Sequence, residues 1–349
     1  MNAHPPHPLH PLHPRTIAIN GLGRIGRLAV RRLVAAPEEL LAAVNDPAPL
    51  DQVLHLLRQD SVHGRSALPI EGHTEAGQDY LLLGARMVPL FHEPDPTLIP
   101  FPEATRLVVE ASGRFTSRAA AAQHLKGAVS HVLISSPSPD ADFTAIAPVN
   151  GEELDPRRHR IISNASCTAH ATAPLLKILD EAFGLEAAGM STVHVVTNDQ
   201  RLLDQAHPNR RRGRAAFQSI IPTTSSAFGA LHRALPDLPP GFDGVAVRVP
   251  VLSVNLVDLV ATLRHDTDLE GVKAAFARAA AGPWRGLVAL ADPHTVSCDI
   301  TGRSESVIVD LDLTHLLGQR FVKVLGWHDN ETGYAARLCD LVVDLAGRI

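Results

Sequence analysis

The residues best able to perform chemistry in this sequence are Cys167 and His194, which lie in separate segments. Cys167 follows Ser163–Ser166 and opens a predicted helix of about fifteen residues, so its sulfur is expected near a helix N-terminus. That position favours the thiolate, the form of cysteine that attacks a carbonyl carbon. His194 lies in the predicted strand Met190–Val196, and its imidazole can take a proton if that strand adjoins the helix start. Taken alone, the two residues are equally consistent with a buried thiol and a sheet histidine.

A glycine turn near the start of the chain indicates a dinucleotide site. The run Gly21–Leu22–Gly23–Arg24–Ile25–Gly26 follows the predicted strand Thr16–Asn20 and opens a helix predicted over Arg24–Ala36. Such glycines permit a tight turn, close approach of the backbone to a pyrophosphate, and close helix–strand packing. Asp46 follows the second predicted strand, where its carboxylate can accept hydrogen bonds from ribose hydroxyls. Because a carboxylate repels a 2′-phosphate, the pattern favours NAD over NADP; the alternative is a structural turn with an incidental aspartate.

The elements that position these residues predict two domains, so the fold class is α/β. Over residues 15–166, short β-branched runs alternate with helices, which predicts a Rossmann-type doubly wound sheet. Over residues 167–330, longer alternating strands predict an α+β catalytic domain with a mixed or antiparallel sheet. A C-terminal helix within 331–349 carries one apolar face and is expected to complete the first domain. Further strands are predicted at Arg106–Glu110, His131–Ser135, Gly244–Val249, Asn255–Leu263, Ser306–Asp310 and Arg320–Trp327.

Composition excludes several classes of protein. Of 349 residues, 45% are hydrophobic and 20% are charged, and no uncharged apolar run reaches the length of about 18 residues that a bilayer requires. The net charge of −5 provides no long-range attraction for nucleic acid. Three widely spaced cysteines favour free thiols in a reducing compartment. Residues 1–14 are rich in His and Pro and predict a disordered tail whose histidines bind metal weakly at most.

Several motifs occur in a fixed order along nearly the whole chain. They are Asp60–Arg65, Ile161–Cys167, Thr192–His194, Thr197–Arg201, Arg214–Ala216, Ile220–Pro222, Val247–Pro250 and Trp327–Glu331. In this order the motifs resemble those of the phosphorylating glyceraldehyde-3-phosphate dehydrogenase family. The resemblance implies NAD-dependent oxidation of a small phosphorylated aldehyde, with Cys167 as nucleophile and His194 as general base. The aldehyde would form a thiohemiacetal and then a thioester, which inorganic phosphate attacks to give 1,3-bisphosphoglycerate.

The resemblance also assigns the binding residues. It implies that Thr197, Asp199 and Arg248 bind the phosphate of the substrate. The attacking phosphate is assigned to Ser166, Thr168 and Ser225, and no metal site is implied. Arginine suits phosphate because its planar donors grip two oxygens at once. The implied NAD site comprises Gly21, Gly23, Arg24, Ile25, Gly26, Asp46, Ser112, Gly113, Ser135 and Asn330, the last orienting the nicotinamide carboxamide.

The segment Asn198–Ser219 is rich in arginine and too long to be a simple connector. Taken alone, its run Arg210–Arg214 is also consistent with a solvated or nucleic-acid-binding patch. In the family this loop packs against a neighbouring subunit, so the resemblance implies a homotetramer, here expected to be cytoplasmic and glycolytic, without a nucleic-acid or membrane partner.

Three departures from the family pattern leave alternatives open. His170 replaces an asparagine close to the thiol, Ser226 replaces a glycine of the phosphate loop, and Thr332 replaces an aromatic residue. Erythrose 4-phosphate is an alternative substrate, and a non-catalytic NAD-binding regulatory protein is an alternative function. A cysteine hydrolase built on Cys167 and His194 is a third, against which the glycine turn argues.

Overall fold

The computed structural model describes residues 16–36 and 39–349. The predicted tail over residues 1–14, with its histidines, lies outside these residues. The described chain divides into two compact units, and the second comprises Pro148–Gly151 and Ala165–Tyr334. The first holds the described residues up to Ala147, together with Glu152–Asn164 and Ala335–Ile349.

The chain up to Asn164 forms one large sheet and a separate two-stranded ribbon. The strands are β1 (Ile17–Asn20), β2 (Leu41–Asn45), β3 (Gln59–Asp60), β4 (Gly64–Arg65), β5 (Ile70–Glu75), β6 (Gln78–Leu83), β7 (Arg86–Phe91), β8 (Leu107–Glu110), β9 (His131–Ile134), β10 (Phe143–Thr144) and β11 (Ile161–Ser163). The helices are α1 (Arg24–Ala35), α2 (Leu50–Arg58), α3 (Arg118–Ala121) and α4 (Ala147–Asn150), with 3-10 turns at Ala122–His124 and Gly151–Glu153. Among the described residues, the large sheet has the strand order β10-β11-β9-β8-β1-β2-β7-β6-β5.

The central strands of this sheet are parallel, as the alternation of strands and helices predicted. β1 pairs in parallel with β2 and with β8, and β8 pairs in parallel with β9. All four strands are buried along their whole length, as expected for a parallel sheet covered on both faces. The antiparallel hairpins that join β5, β6 and β7 were not predicted. Their edge strand β5 buries only Ile70, so its pattern gives no periodic signal.

The chain from Ala165 onward forms a second, mixed sheet. Its strands are β12 (Leu185–His194), β13 (Ile221–Thr223), β14 (Asp243–Arg248), β15 (Asn255–Leu263), β16 (Val288–Leu290), β17 (Val307–Leu317) and β18 (Phe321–His328). The helices are α5 (Cys167–Phe183), α6 (Ala227–Ala234), α7 (Leu269–Ala281), α8 (Ser297–Ile300) and α9 (Thr332–Ala346). The strand order in the described residues is β13-β14-β12-β15-β18-β17-β16.

Both pairing directions occur in the second sheet, as predicted for an α+β domain. β12 pairs in parallel with β14 and antiparallel with β15, which in turn pairs antiparallel with β18. Side chains of β15 alternate strictly between buried and partly buried, and α5 packs on β15 and β18. One face of the sheet is therefore covered by helix. The segment Asn198–Ser219 contains turns and bends but neither helix nor strand.

The apolar face of α9 is buried, as its sequence predicted. Leu338, Leu341, Val342 and Leu345 are at most 1% exposed and belong to the hydrophobic core of the first unit, which also contains Ile17. Burying each such side chain contributes about 1.5–3 kcal/mol relative to leaving it in water. No described helix is long and apolar enough to cross a membrane.

Candidate active site

Cys167 is the first residue of α5, and the three residues before it hold the chain in a sharp turn. Ser166 caps the helix, because its hydroxyl accepts a hydrogen bond from the Ala169 N–H at 3.1 Å. Ala165 has a φ of 51°, a conformation that costs a residue with a Cβ about 1–2 kcal/mol. Its carbonyl accepts a hydrogen bond from the Tyr334 hydroxyl at 3.3 Å. The thiol is thus presented at a helix N-terminus, on a backbone held by contacts outside the turn.

The imidazole of His194 faces this thiol. His194 is the last residue of β12, and its Nε2 atom lies 3.8 Å from Sγ of Cys167. On the far side of the ring, Nδ1 lies 2.8 Å from the Val195 carbonyl oxygen. When Nδ1 carries the hydrogen and donates it to this carbonyl, the lone pair of Nε2 points at the sulfur. An imidazole and a thiol from separate segments therefore meet within the second unit.

Burial sets the ionisation of both groups. It raises the pKa of the Cys167 thiol, with the Thr168 hydroxyl and the Arg248 cation acting in the opposite direction. The helix position had predicted a thiolate, and burial outweighs that local effect. Burial, followed by the Arg248 charge, lowers the pKa of His194 to about 3. The resting pair is accordingly a neutral thiol beside a neutral imidazole, which can take the proton as the sulfur attacks.

Arg248 places a cation beside this pair. It ends β14, and its Nη1 lies 2.7 Å from Nδ1 of His194, 3.0 Å from the Val195 carbonyl oxygen and 3.4 Å from the Thr197 hydroxyl. Burial lowers the pKa of Arg248 to about 10, so the side chain still carries its charge at neutral pH. Two of the residues predicted to bind the substrate phosphate, Thr197 and Arg248, are thus brought together.

The contacts at Nδ1 of His194 favour opposite tautomers. The Val195 carbonyl requires a hydrogen on Nδ1, whereas a hydrogen bond donated by Arg248 requires a lone pair there and moves the ring hydrogen to Nε2. Only the first tautomer leaves Nε2 free to accept the thiol proton. Movement of the Arg248 guanidinium away from the ring therefore favours the tautomer in which Nε2 of His194 can accept the proton of Cys167.

Asp199 is held by basic side chains of its own loop. Its carboxylate accepts a hydrogen bond from Arg212 Nη1 at 2.6 Å and lies 3.3 Å from His207 Nε2. These partners lower the pKa of Asp199 against the effect of its burial. Arg212 also donates to the Thr223 hydroxyl at 3.0 Å and to the Thr224 carbonyl at 2.9 Å. Sequence reasoning placed Arg212 at a subunit contact, and the structure adds it to the residues around Asp199.

Sequence reasoning missed two residues near the thiol, Asn255 and His328. The Asn255 side-chain nitrogen is 4.0 Å from Sγ of Cys167 and 3.2 Å from Nε2 of His328. Both Asn255 and His328 are at most 1% exposed. Asn255 does occupy an inward position of an alternating strand, where an apolar residue is expected. A buried polar residue in such a position is the signal that could have identified it.

In the first unit, the glycine turn is packed tightly at Gly21 and Gly26 but leaves open space at Gly23. Gly21 has a φ of 95°, and a Cβ there would lie 2.5 Å from the Ser112 backbone. A Cβ on Gly26 would lie 2.0 Å from the Gly21 carbonyl oxygen, so neither position accepts a side chain. Gly23, in contrast, is exposed, and a Cβ there would meet only the Ala111 carbonyl at 4.0 Å. The space above Gly23 fits the close approach of a pyrophosphate to the backbone.

Asp46 lies at the carboxyl end of β2, beside this turn. One of its carboxylate oxygens accepts a hydrogen bond from the Leu22 N–H at 2.7 Å, and the other from the Ala48 N–H at 2.9 Å. Each oxygen keeps a further lone pair for a ribose hydroxyl. Arg24 and Ile25 are the first two residues of α1. The residues of the turn and its carboxylate therefore fit a dinucleotide.

A buried polar network, not predicted, supports the same strand ends. Glu110 accepts hydrogen bonds from the Asn20 amide at 2.6 Å and from the Ser112 N–H at 2.8 Å, and it lies 2.8 Å from His124 Nε2. Glu110 and His124 are at most 1% exposed. Such a network fixes the chain after β8, where the predicted cofactor residues Ser112 and Gly113 lie. Ser135 follows β9 and donates its N–H to the Glu110 carbonyl at 2.9 Å.

Comparison with known proteins identifies the family. Residues 15–118 match the family model described as glyceraldehyde 3-phosphate dehydrogenase, NAD binding domain, and residues 166–330 match that of the C-terminal domain. The chain belongs to the glyceraldehyde-3-phosphate dehydrogenase family. It is 40% identical over 333 residues to glyceraldehyde-3-phosphate dehydrogenase of Geobacillus stearothermophilus, covering 95% of this chain and 98% of the relative. Glyceraldehyde-3-phosphate dehydrogenase of Streptomyces coelicolor is 41% identical over 336 residues, covering 95% and 99%.

The three departures from the glyceraldehyde-3-phosphate dehydrogenase pattern are accommodated without strain. Ser226 has a φ of −71° and a ψ of −7°, a conformation open to any residue. His170 is buried on α5 with its ring edge-on to Tyr334, the centroids 5.7 Å apart. The backbone N–H of Thr332 donates to Asp329 at 2.9 Å. Each of the three positions therefore holds its present residue without needing the one that is usual in the family.

The remaining residues that the family resemblance had assigned are held by hydrogen bonds from backbone N–H groups. The Ser225 hydroxyl accepts a hydrogen bond from the Ala227 N–H at 3.2 Å. The Asn330 amide oxygen accepts one from the Val254 N–H at 3.1 Å, which leaves the amide nitrogen of Asn330 as the donor for a ligand. Over the described residues, no group of His, Cys, Asp and Glu side chains is arranged to hold a metal ion.

Proposed function

We propose that this protein oxidises glyceraldehyde 3-phosphate with NAD and inorganic phosphate to 1,3-bisphosphoglycerate. The observation that carries the proposal is the distance of 3.8 Å between Sγ of Cys167 and Nε2 of His194, with the Arg248 cation beside them. The named relatives, which align over 95% of the chain, support the same activity. The proposed assignment gives NAD binding to residues 15–166 with 331–349, and catalysis to residues 167–330.

The first step joins the substrate to sulfur. Cys167 attacks the aldehyde carbon while its proton moves to Nε2 of His194, and the carbonyl electron pair moves onto oxygen. The imidazolium of His194 then protonates that oxygen, giving a thiohemiacetal and restoring the neutral ring. Because the pKa of His194 is lowered to about 3, its protonated form is a strong acid that returns the proton readily.

Oxidation converts the thiohemiacetal into a thioester. Bound NAD would supply the acceptor for the hydride that leaves the former aldehyde carbon. His194 takes the hydroxyl proton in the same step, so the oxygen electron pair forms the thioester carbonyl. Inorganic phosphate then attacks that carbonyl, and the sulfur leaves with the bonding electron pair. We assign Ser166, Thr168 and Ser225 to this phosphate.

Arg248 and Thr197 hold the phosphate of the substrate. A guanidinium whose pKa is about 10 remains charged at neutral pH, and the neighbouring hydroxyl supplies another donor. Engagement of Arg248 by phosphate draws its Nη1 from the His194 ring and favours the tautomer with a free Nε2. Substrate binding and activation of the base are thereby linked.

Asp46 supports NAD as the cofactor rather than NADP. Its carboxylate is already fixed by the N–H groups of Leu22 and Ala48, so it cannot turn away from a 2′-phosphate without breaking these bonds. Hydrogen bonds to charged groups contribute about 1.5–3 kcal/mol each. This arrangement favours a ribose with free hydroxyls.

The proposed assembly is a cytoplasmic homotetramer. Leu202, Leu203 and Ile220, in or beside the arginine-rich segment, are more than 70% exposed, as expected for a surface that a second copy covers. Cys167, Cys298 and Cys339 are all free, in keeping with a reducing compartment.

Initial rates of NADH formation test the proposed reaction. With glyceraldehyde 3-phosphate, NAD and phosphate, the wild type is expected to turn over while Cys167→Ser is inactive. A rate that does not depend on phosphate would indicate hydrolysis of the thioester by water. A higher kcat/KM with erythrose 4-phosphate would reassign the substrate, and absence of turnover with both aldehydes would refute the proposal.

A further inference from the structure

Asn255 and His328 form a cross-strand pair, and Asn255 lies next to the Cys167 thiol. Asn255 is the first residue of β15 and His328 the last of β18, and the two are directly opposite in the antiparallel register. Asn255 is 0% exposed and His328 is 1% exposed. Facing residues of antiparallel strands interact directly, so each fixes the position of the other.

The orientation of the Asn255 amide is set by the backbone. Its oxygen accepts a hydrogen bond from the Val195 N–H at 2.9 Å, which leaves the NH₂ group on the opposite side. That nitrogen has two hydrogens and two neighbours, Nε2 of His328 at 3.2 Å and Sγ of Cys167 at 4.0 Å. One hydrogen is donated to the His328 ring and the other points to the Cys167 sulfur.

His328 completes this orientation because it acts as an acceptor. Burial lowers the pKa of His328 to about 4, so the ring is neutral at neutral pH. With a lone pair on Nε2 toward Asn255, the ring hydrogen must lie on Nδ1, which has no hydrogen-bond partner among the residues described. A buried donor without a partner destabilises a fold, so this histidine is not explained by packing alone.

We propose that Asn255 is a further catalytic residue, which donates a hydrogen bond to the sulfur of Cys167 as the thiol ionises, and that His328 positions it. The inference rests on the proposed function, in which Cys167 is the nucleophile. The proton moves from Sγ to Nε2 of His194, and the electron pair left on sulfur accepts the Asn255 N–H. The same donor stabilises the sulfur when it leaves the thioester.

This donor matters because the other groups that stabilise the thiolate act weakly or are engaged by the substrate. Burial raises the pKa of Cys167, against which Arg248 and Thr168 act. Once the substrate phosphate occupies Arg248, that cation is paired and stabilises the sulfur less. The rings of His194 and His328 are neutral at rest, and His194 becomes charged only when it takes the thiol proton. The Asn255 amide is held by the Val195 backbone N–H, so its donor stays in place both when the thiol ionises and when the sulfur leaves the thioester.

Alkylation of Cys167 by iodoacetamide as a function of pH tests this role without aldehyde, NAD or phosphate. Asn255→Ala is expected to raise the pKa of the thiol by about one unit and to slow alkylation at neutral pH about tenfold. Asn255→Asp retains the acceptor for the Val195 N–H but removes the donor, and is expected to slow the reaction further. Unchanged rates in both variants would overturn the proposal.

The positioning role of His328 has its own comparison. His328→Phe removes the acceptor and is expected to slow alkylation several-fold, whereas His328→Gln keeps an acceptor and is expected to restore most of the rate. Equal rates in the two variants would refute the positioning role. Labelling of exposed Cys298 should be the same throughout, and buried Cys339 should stay unlabelled if the variants are folded.

Turnover separates this inference from the proposed function. Normal wild-type turnover with unchanged alkylation in the Asn255 variants would refute the role of Asn255 alone. Absence of wild-type turnover together with slowed alkylation in the variants would refute the proposed substrate and leave the role of Asn255 in place.

Discussion

The Nε2 atom of His194 lies 3.8 Å from the Sγ atom of Cys167, although the two residues are 27 positions apart in the sequence. One ends a strand and the other begins a helix, so each side chain is held by a regular element while its neighbours turn away. His194 is buried, Cys167 is partly buried, and both groups are neutral at rest. In the proposed mechanism, proton transfer to His194 accompanies attack by sulfur, so the rate is expected to depend on the imidazole being unprotonated.

Replacement of the base should reduce turnover strongly. In His194→Asn, kcat/KM for glyceraldehyde 3-phosphate is expected to fall about 10²–10⁴-fold, the usual contribution of a general base. Because the pKa of His194 is about 3, its protonation should not limit the wild type above pH of about 4. The rate of the variant should instead rise with pH as more thiolate forms. Steady-state rates across pH check both statements, and a variant with nearly wild-type rates would contradict them.

Acid should destabilise the second unit through its buried histidines. Burial lowers the pKa of His328 to about 4, whereas an unfolded histidine titrates near pH 6.5. Between these values the unfolded chain binds a proton that the folded chain does not, so stability falls as pH falls, and the loss is complete below the folded pKa. For His328 this loss amounts to about 3 kcal/mol.

His328→Gln should remove that part of the acid sensitivity. The free energy of unfolding, measured in urea near pH 7 and near pH 4, should change less in the variant than in the wild type. His73→Gln alters an exposed histidine and serves as the matched control. The same pH dependence in His328→Gln and the wild type would show that His328 does not titrate as described.

Arg248 should discriminate phosphorylated from unphosphorylated aldehydes. Arg248→Lys keeps a charge but loses the planar pair of donors, so kcat/KM for glyceraldehyde 3-phosphate is expected to fall about 10–100-fold. With unphosphorylated glyceraldehyde the variant and the wild type should differ much less. An equal loss with both substrates would indicate a general defect of the site instead of a phosphate contact.

Two glycines of the dinucleotide turn should respond differently to the same substitution. In Gly26→Ala the new Cβ would lie 2.0 Å from the Gly21 carbonyl oxygen, so the turn must shift. A loss of about 1–3 kcal/mol and a lower Tm without ligand are expected. Gly23→Ala meets nothing closer than 4.0 Å and should keep the wild-type Tm while weakening NAD binding. Equal Tm values for both variants, or normal NAD affinity in Gly23→Ala, would argue against the assigned turn.

Local sequence patterns predicted the helices and strands that carry the site. They could not predict contacts between strands that are distant in the sequence. The start of α5 and the bounds of β15 follow from capping and alternation, which neighbouring residues determine. The pairing of Asn255 with His328 depends on the register of β15 and β18, which the sequence pattern does not specify. Likewise, the helix position of Cys167 suggests a thiolate, whereas burial is a property of the assembled unit.

Arginine content alone also did not indicate the partners of one residue, Arg212. Arg212 belongs to a run that is typical of an exposed basic surface, yet its guanidinium binds Asp199 at 2.6 Å, the Thr223 hydroxyl at the end of β13 and the Thr224 carbonyl. The turns that fold residues 198–219 back on themselves create these contacts. Such turns lack a periodic signal, so the partners of Arg212 could not be inferred from spacing.

The most direct test of the proposed thioester route is a single turnover without inorganic phosphate. Rapid mixing of the protein with NAD and glyceraldehyde 3-phosphate should give a burst of NADH equal to the amount of Cys167, followed by a slow phase. Mass spectrometry of the quenched protein should then locate the acyl group on the peptide that contains Cys167. A turnover without a burst, or NADH formed with no acyl group on Cys167, would contradict the proposed thioester route.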